Sequence, residues 1–407
     1  MNSSVIKKDF PLFDRNINGK PITYLDSTAT ALKPKAVIDA MNHYYTQCTA
    51  NVFRGIYTIS EEATTLYEAG RSAVAQLIHV DASEIVFVRN ATEALNLIGY
   101  SWFMEHVGAG DNVVTTIMEH HSNFVTWQQH AKESKAEFRM IRLTSDGLLD
   151  LSMIETLVDT KTKLFAITAV SNVLGTINPI EQIVAKVKSI NPQCFIVVDA
   201  AQAVPHMPVD VHAWGADAVA FSSHKMLGPS GMGALWAKKA VLEQMKPFMY
   251  GGDMIREVHE TETIFNDVPH KFEAGTPFIE GAMGFGAAAT YLKNIGMDEV
   301  REHEKEITAY ALTALQKISG IKIVGPLDPN VKAGVIAFQL PYVHPHDIAE
   351  VVNEDNVCIR VGFHCAEPLH EYLGIGPTAR ASFYIYNDHD DVDALIAGLE
   401  KVEKLFK

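Results

Sequence analysis

No apolar run in this 407-residue chain approaches the ~18 residues that a membrane-spanning helix requires. The amino terminus, MNSSVIKKDF, has no apolar segment of the secretory kind. Together these absences set the expectation of a soluble, cytoplasmic protein. Cysteine is scarce as well. The four residues, Cys48, Cys194, Cys358 and Cys365, form no CxxC pair and no Cys/His ligand spacing, so no disulfide framework and no metal site is expected. In a reducing compartment each thiol is then either a small buried hydrophobe or a reactive group. Low-complexity tracts and fixed-period repeats are missing too. Cations are outnumbered, 34 Lys and Arg against 49 Asp and Glu, for a net charge of −15. Such a chain has no general attraction for nucleic acid or an anionic membrane, and neither is expected as a partner.

What remains is ordinary globular material, 47% hydrophobic and 20% charged. The length exceeds one small core and fits two domains. From about residue 60, helix-period and strand-like segments alternate. Residues 60–80 carry helical spacing with acidic residues in the first turn. Short β-rich runs follow at 84–88, 112–118, 163–170, 194–200, 217–223 and 233–237. Near-continuous apolar runs of this kind are what strands covered on both faces look like. Alternating with helices, they predict an α/β fold with a large, doubly wound, mostly parallel sheet. Near residue 290 the pattern changes. A long charged helix over 297–318 precedes sparser strands at 321–325, 334–340, 357–361 and 379–386, and the chain ends in a helix over 391–406. This predicts a large domain over 20–290 and a smaller α+β domain made of 1–19 and 291–407.

In parallel α/β sheets, ligands sit beyond the carboxyl ends of the strands. Several residues at such ends carry chemistry. Asp199, in VVDAAQ, follows a wholly apolar strand, where a carboxylate is costly unless a cation meets it. A protonated pyridine nitrogen would do so and keep a pyridoxal ring an electron sink; capping the next helix is the other reading. Lys225, in SSHKMLGPSG, lies between a buried strand and a glycine-rich turn. Desolvation there can free its amine to form a Schiff base, although the short pattern alone favours an ordinary loop lysine. Ser222 and His224 flank it as phosphate donors. Asn90-Ala91-Thr92 begins a helix whose free amides suit a phosphate, or whose first polar side chain is simply a cap. His120, in MEHHSN, could stack on a planar cofactor and move protons, although a lone histidine is more often structural. Asn172 also stands at a strand end. Each signal is weak alone. Together they supply what pyridoxal-5′-phosphate (PLP) requires at one sheet edge.

These segments resemble those of the fold-type I PLP enzymes of the class V aminotransferase superfamily, and within it the SufS-type (group II) cysteine desulfurases. The resemblance runs nearly end to end: YLDSTATALKP (24–34), NVFRGIYTIS (51–60), NATEALN (90–96), EHHSN (119–123), VDAAQAVPH (198–206), SSHKMLGPSGMGAL (222–235), FEAGTP (272–277), RVGFHCAEPL (360–369) and TARASFYIYN (378–387). Carried over by position, it implies that Lys225 is the Schiff-base lysine, that Asp199 pairs with the pyridine nitrogen, and that Gln202 bonds the phenolic oxygen. It implies that His120 stacks on the ring, and that Ala91, Thr92, Ser222 and His224 hold the phosphate. Thr276 is expected to reach the phosphate of a neighbouring subunit, which implies a homodimer. Asn172 and Arg380 match the groups that hold the substrate carboxylate, and Arg360 matches a second arginine near the thiol loop. Cys365 matches the nucleophile. Three positions depart from the family, which often has His where Phe53, Tyr57 and Phe363 stand. In 272–281, Phe278-Ile279-Glu280 replaces a commoner small polar run.

Desulfuration needs a nucleophile able to reach the substrate sulfur. Cys365 lies on a loop with Arg360 and His364 close in sequence, a setting expected to favour the thiolate. Cys194 and Cys358 sit in apolar strand runs and Cys48 ends a helical stretch. The resemblance implies conversion of L-cysteine to L-alanine with a persulfide on Cys365, passed to a SufE- or SufU-like acceptor for iron–sulfur cluster or other thio-cofactor assembly. Rival readings are a selenocysteine lyase or another PLP lyase of the same fold, and a non-catalytic scaffold. Intact Lys225, Asp199 and Cys365 argue against the scaffold.

Overall fold

The computed structural model describes residues 1–407. Its centre is a seven-stranded sheet built from β1 (Ile85–Val88), β2 (Asn112–Thr116), β3 (Glu137–Ile141), β4 (Thr162–Thr168), β5 (Phe195–Asp199), β6 (Ala218–Ser222) and β7 (Gly233–Ala237). The spatial order is β1-β7-β6-β5-β4-β2-β3. Neighbours β3, β2, β4, β5 and β6 run parallel, while β7 is antiparallel to both β6 and β1. This is the mostly parallel α/β sheet that the apolar runs predict. Six of its strands end within two residues of the predicted limits.

The seventh, β3, carries no such signal. Its sequence EFRMI mixes charge with apolar residues, in keeping with a partly exposed strand of which only the last residue, Ile141, is fully buried. Elsewhere alternate residues of each strand enter opposite cores. Phe87, Val114, Phe165, Ile196, Val219 and Trp236 pack into one cluster, and Val86, Val113, Leu164, Val197, Ala218 and Leu235 into another. Burial on both faces is why these strands read as continuous apolar runs.

Helices cover both faces. α1 (Thr58–Leu77) and α4 (Ile279–Ile295) cross with their backbones in contact: a Cβ on Gly286 would lie 2.5 Å from Gly70 Cα, so only glycine fits there. α2 (Ala91–Ile98) and α3 (His121–Ser134) each begin just past the carboxyl end of a parallel strand.

A second, four-stranded antiparallel sheet has the order β8-β9-β11-β10, with β8 Lys322–Val324, β9 Val335–Gln339, β10 Arg360–Gly362 and β11 Thr378–Ser382. It packs with α5 (Met297–Leu315) and α6 (His389–Phe406) around its own core of Leu25, Ile307, Phe338, Val392 and Leu395. The predicted strand 379–386 is shorter than expected. After Ser382 the buried chain leaves the sheet, and Asn387 Oδ1 accepts the Tyr384 amide at 2.9 Å instead. The amino-terminal stretch Thr23–Tyr24 pairs with Val357–Cys358, which brings the segment after Tyr24 alongside the second sheet. No helix is long and apolar enough to cross a membrane.

Candidate active site

A cavity of about 470 Å³ opens where the carboxyl ends of β1, β2, β4, β5 and β6 face β10, β11 and the loop between them. The first wall carries Asn90, Ala91, Thr92, His120, Ser122, Asn172, Asp199, Ser222, His224 and Lys225; the second carries Arg360, His364, Cys365 and Arg380. Residues far apart in sequence thus meet in one space, because parallel strands deliver all their carboxyl ends to the same edge.

On the first wall, Asn90 caps α2: its Oδ1 accepts the Glu93 amide at 2.9 Å. Capping and anion binding are therefore compatible here. Asn90 occupies one amide, while the Ala91 amide points at Ser222 Oγ, 2.8 Å away. Gly233 makes this approach possible, since a Cβ there would sit 2.7 Å from Asn90 Cα. Thr92 Oγ1 lies 2.6 Å from Ser122 Oγ, which lies 3.1 Å from His120 Nδ1. These hydroxyls and amides, at a helix start, form a donor set suited to a phosphate.

His120 caps α3, its Nδ1 accepting the Ser122 amide at 3.1 Å. Burial, with the Lys225, His121 and Arg380 charges, pushes its pKa down to about 3, so the ring is neutral with its proton on Nε2. Asp199 Oδ1 accepts the Ala201 amide at 2.9 Å. Burial raises the Asp199 carboxyl, while the Lys225 charge and that amide oppose the shift. Burial lowers Lys225, with Asp199 opposing. A carboxylate driven up and an amine driven down beside each other suit a cationic ring nitrogen and a Schiff-base lysine. Gln202 sits behind this wall. Its Nε2 donates to the Thr28 carbonyl at 2.9 Å, and its buried Oε1 has no partner.

On the second wall, antiparallel register sets Arg360 directly opposite Arg380. Two like charges so placed repel, and Asp26 lies between them. It accepts Arg360 Nε at 3.0 and 3.1 Å and Nη2 at 2.8 Å, and stands 3.6 Å from Arg380 Nη2. Arg380 Nη1 also donates to the Asn172 carbonyl at 2.9 Å. Burial lowers Arg380 to about 10 despite Asp26. Thr28 Oγ1, His364 Nδ1 and Arg380 Nε, all on lining residues, are buried without partners. Orphaned polar atoms around one polar cavity fit a bound, multiply hydrogen-bonded group.

Cys365 is exposed at the cavity. His364 (φ 52°) and Cys365 (φ 55°) are both left-handed, a strained pair for residues with a Cβ. Three hydrogen bonds pin the bend: Asn172 Nδ2 to the His364 carbonyl at 2.7 Å, the His121 amide to the Cys365 carbonyl at 2.7 Å, and the Glu367 amide to His121 Nε2 at 3.1 Å. One expectation needs correction. His364 does not supply positive charge to the thiol, since burial and nearby arginines hold its ring down at about 2 and its Nε2 meets Thr378 Oγ1 at 2.8 Å. Of the other thiols, burial pushes Cys194 up to about 12 and raises Cys48 and Cys358.

Thr276 stands apart. It is exposed beside a second cavity of about 440 Å³, with Arg89, Glu93 and Phe278. Phe53 and Tyr57 do not line the Lys225 cavity; Phe53 faces a third one with Arg54 and His270. Phe363 is exposed and packs edge-on against His370. Residues that motif reasoning passed over include Asp26, Thr28, Ser122 and His121. Asp26 and Thr28 were visible as polar residues closing the apolar-polar run YLDST, and His121 as the second imidazole of EHHSN.

The chain matches the family model "Aminotransferase class-V" over residues 23–395. It is 45% identical to a "Probable cysteine desulfurase" of Halalkalibacterium halodurans, covering 100% of this chain and 99% of that one. It is 43% identical to a "Cysteine desulfurase" of Haloferax volcanii over 98% and 97% of the two chains. Among solved structures, it resembles the apo cysteine desulfurase of Thermococcus onnurineus NA1, with 36% identity and a TM-score of 0.93 over 98% of both chains. The Escherichia coli cysteine desulfurase CsdA, in its S-sulfonic acid form, superposes with a TM-score of 0.92 at 32% identity over 100% of both.

Proposed function

The chain belongs to the class-V aminotransferase family, and from that premise we propose that it is a PLP-dependent cysteine desulfurase whose Cys365 receives the sulfur. The observation that carries this reading is the meeting of Lys225 and Cys365 on opposite walls of one cavity.

PLP, when bound, supplies an electron sink that makes the substrate Cα–H and C–S bonds labile. The residues present fit it. Lys225 would hold it covalently, Asp199 would meet its ring nitrogen, Gln202 its phenolic oxygen, and His120 its ring face. The Ala91 amide, Thr92, Ser222 and His224 would hold its phosphate, with Thr276 supplied by a second copy of the chain. Arg380 and Asn172 orient the substrate carboxylate, and Arg360 lines the same cavity as the thiol. Lys225 Nζ, whose pKa burial lowers, accepts the Cα proton. His120, neutral and protonated on Nε2, can donate one. Cys365 Sγ then attacks the substrate sulfur. The new S–S bond forms as the substrate C–S bond breaks, its electrons stay with the substrate carbon, and protonation there gives alanine.

The persulfide must leave the protein, and exposure of Cys365 suits delivery to a SufE- or SufU-like acceptor for iron–sulfur or other thio-cofactor assembly. A homodimer suits the exposed apolar side chains Phe53, Ile56, Tyr57, Tyr250 and Phe278, as well as Thr276. Four free thiols suit a reducing, cytoplasmic setting. The test is Cys365→Ala. We expect unchanged cofactor absorbance, no protein persulfide and no alanine release from L-cysteine. Full turnover with L-cysteine would overturn the assignment, and a parallel assay with L-selenocysteine separates a lyase that has no need of the thiol.

A further inference from the structure

We infer that Glu119 is a positioning residue for this site, a buried second anion that ties the start of α3 to the strand paired with Asp199 and backs the charge Asp199 would present to the ring nitrogen of PLP. The inference rests on the reading of the cavity as a PLP site.

Glu119 does not line the cavity, although its neighbour His120 does. It is 1% exposed, and three elements converge on it. Thr116 Oγ1, at the end of β2, donates to its Oε1 at 2.6 Å. The Thr168 amide, at the end of β4, donates to the same oxygen at 3.0 Å. Asn123 Nδ2, in the first turn of α3, donates to Oε2 at 2.6 Å. Thr168 is in turn the register partner of Asp199 on β5. One side chain thus holds together the strand ends that deliver His120 and Asp199.

The direction of these bonds fixes its charge. An indole N–H only donates, and Trp127 Nε1 donates to Asn123 Oδ1 at 2.8 Å, which turns Asn123 Nδ2 toward Glu119. A backbone amide likewise only donates. Thr116 Oγ1 already accepts the Met118 amide at 3.2 Å, so a proton on Glu119 Oε1 would leave that hydroxyl's own proton without an acceptor. Both oxygens therefore accept, the pattern of an ionised carboxylate. Burial, with Asp199 adding to it, pushes Glu119 up to about 8, while the three bonds oppose the shift and leave no place for the proton. Of the histidines at the start of α3, His120 is neutral and His121 accepts the Glu367 amide. A buried anion is costly unless a cation balances it, and a protonated ring nitrogen beyond Asp199 supplies one.

The test uses the PLP-loaded enzyme without substrate. It reads the pH dependence of the lysine-bound cofactor's absorbance alongside thermal melts. A nearby anion favours the protonated cofactor, so Glu119→Gln should lower the cofactor's pKa by about one unit, a tenfold change in its protonation constant. Thr116→Val removes one donor and keeps the charge. It should lower the melting temperature and leave the cofactor's pKa in place. In Glu119→Gln the new amide meets donors, one of them held in place by Trp127. Adding Trp127→Phe frees Asn123 to turn, so the double variant should lose less melting temperature than the two single changes summed, with the cofactor's pKa still lowered. The double variant also carries the test if Glu119→Gln alone does not fold. An unshifted cofactor pKa in either Gln variant, or an equal shift in Thr116→Val, would overturn the inference, and additive melts would overturn the bond directions it stands on. If the parent protein forms no borohydride-reducible absorbance with PLP, the PLP-site reading itself fails and the inference falls with it.

Discussion

The two walls of the cavity are built in opposite ways. The large-sheet wall consists of strand ends and helix starts in ordinary backbone conformations, its polar atoms linked in short chains such as Thr92–Ser122–His120 and Ala91–Ser222. The small-sheet wall presents its reactive atom on a bend of two successive left-handed residues. Strain there costs about 1–2 kcal/mol per residue, and the three pinning hydrogen bonds return about 1 kcal/mol each. The two sums nearly cancel, so the Cys365 bend is held in place without being locked. Under the proposed function a cofactor needs a fixed cradle, whereas a thiol that carries sulfur to an acceptor has to move outward. The difference between the walls matches that division of labour.

Breaking the fixed wall should cost most. Lys225→Ala should abolish covalent cofactor attachment, read by the loss of borohydride-reducible absorbance, and lower desulfuration by about 10²–10⁴-fold or more. Retention of turnover would contradict the role given to that amine. On the other wall, Arg380→Lys replaces a planar fork by a point charge and should raise KM for L-cysteine by about ten- to a hundredfold, with a smaller change in kcat.

A third prediction concerns the support behind the fixed wall. Glu273 accepts Arg71 Nη1 at 2.6 Å, Arg71 Nη2 at 2.9 Å and the Phe87 amide of β1 at 2.7 Å. Burial alone would raise its carboxyl. The Arg71 charge and these bonds override burial and hold it at about 2. Its folded value therefore lies below the ordinary 4.5, so its stabilisation is complete above that pH and is lost as pH falls towards 2. Glu273→Gln should cost about 3–5 kcal/mol at neutral pH and flatten the fall in stability over that acid range, both read from denaturant melts at several pH values. The smallest effect should be at the pinned bend. His121→Ala removes the acceptor of the Glu367 amide, worth about 1 kcal/mol. Alkylation of Cys365 should then speed up about fivefold with the melting temperature barely changed, and His121→Gln should restore much of the parent rate. An unchanged alkylation rate would mean that the bend is not held from this side.

The large sheet was legible because burial on both faces writes most of its strands as apolar runs, and because its candidate site residues sit at the ends of those runs. Asp199 and Lys225 could be picked out as charges placed where charge is expensive. The edge strand β3 was not legible, since only Ile141 of its five residues is fully buried and its composition blurs. The second wall was legible only as motifs. Nothing in RVGFHC or TARAS says that antiparallel register will set Arg360 against Arg380, or that Asp26, more than 300 residues earlier, will stand between them. The neutral state of His364 was equally hidden. Sequence proximity to Cys365 suggested a cation, whereas burial against Arg380 removes the proton.

The most direct measurement is a single turnover with one equivalent of L-cysteine per PLP-loaded chain and no acceptor or reductant, followed by peptide mass spectrometry and alanine quantification. The account predicts about one alanine released for each additional sulfur atom, with that sulfur confined to the peptide carrying Cys365. Alanine formed with the sulfur on Cys48, Cys194 or Cys358, or with no sulfur retained on the protein, would contradict it.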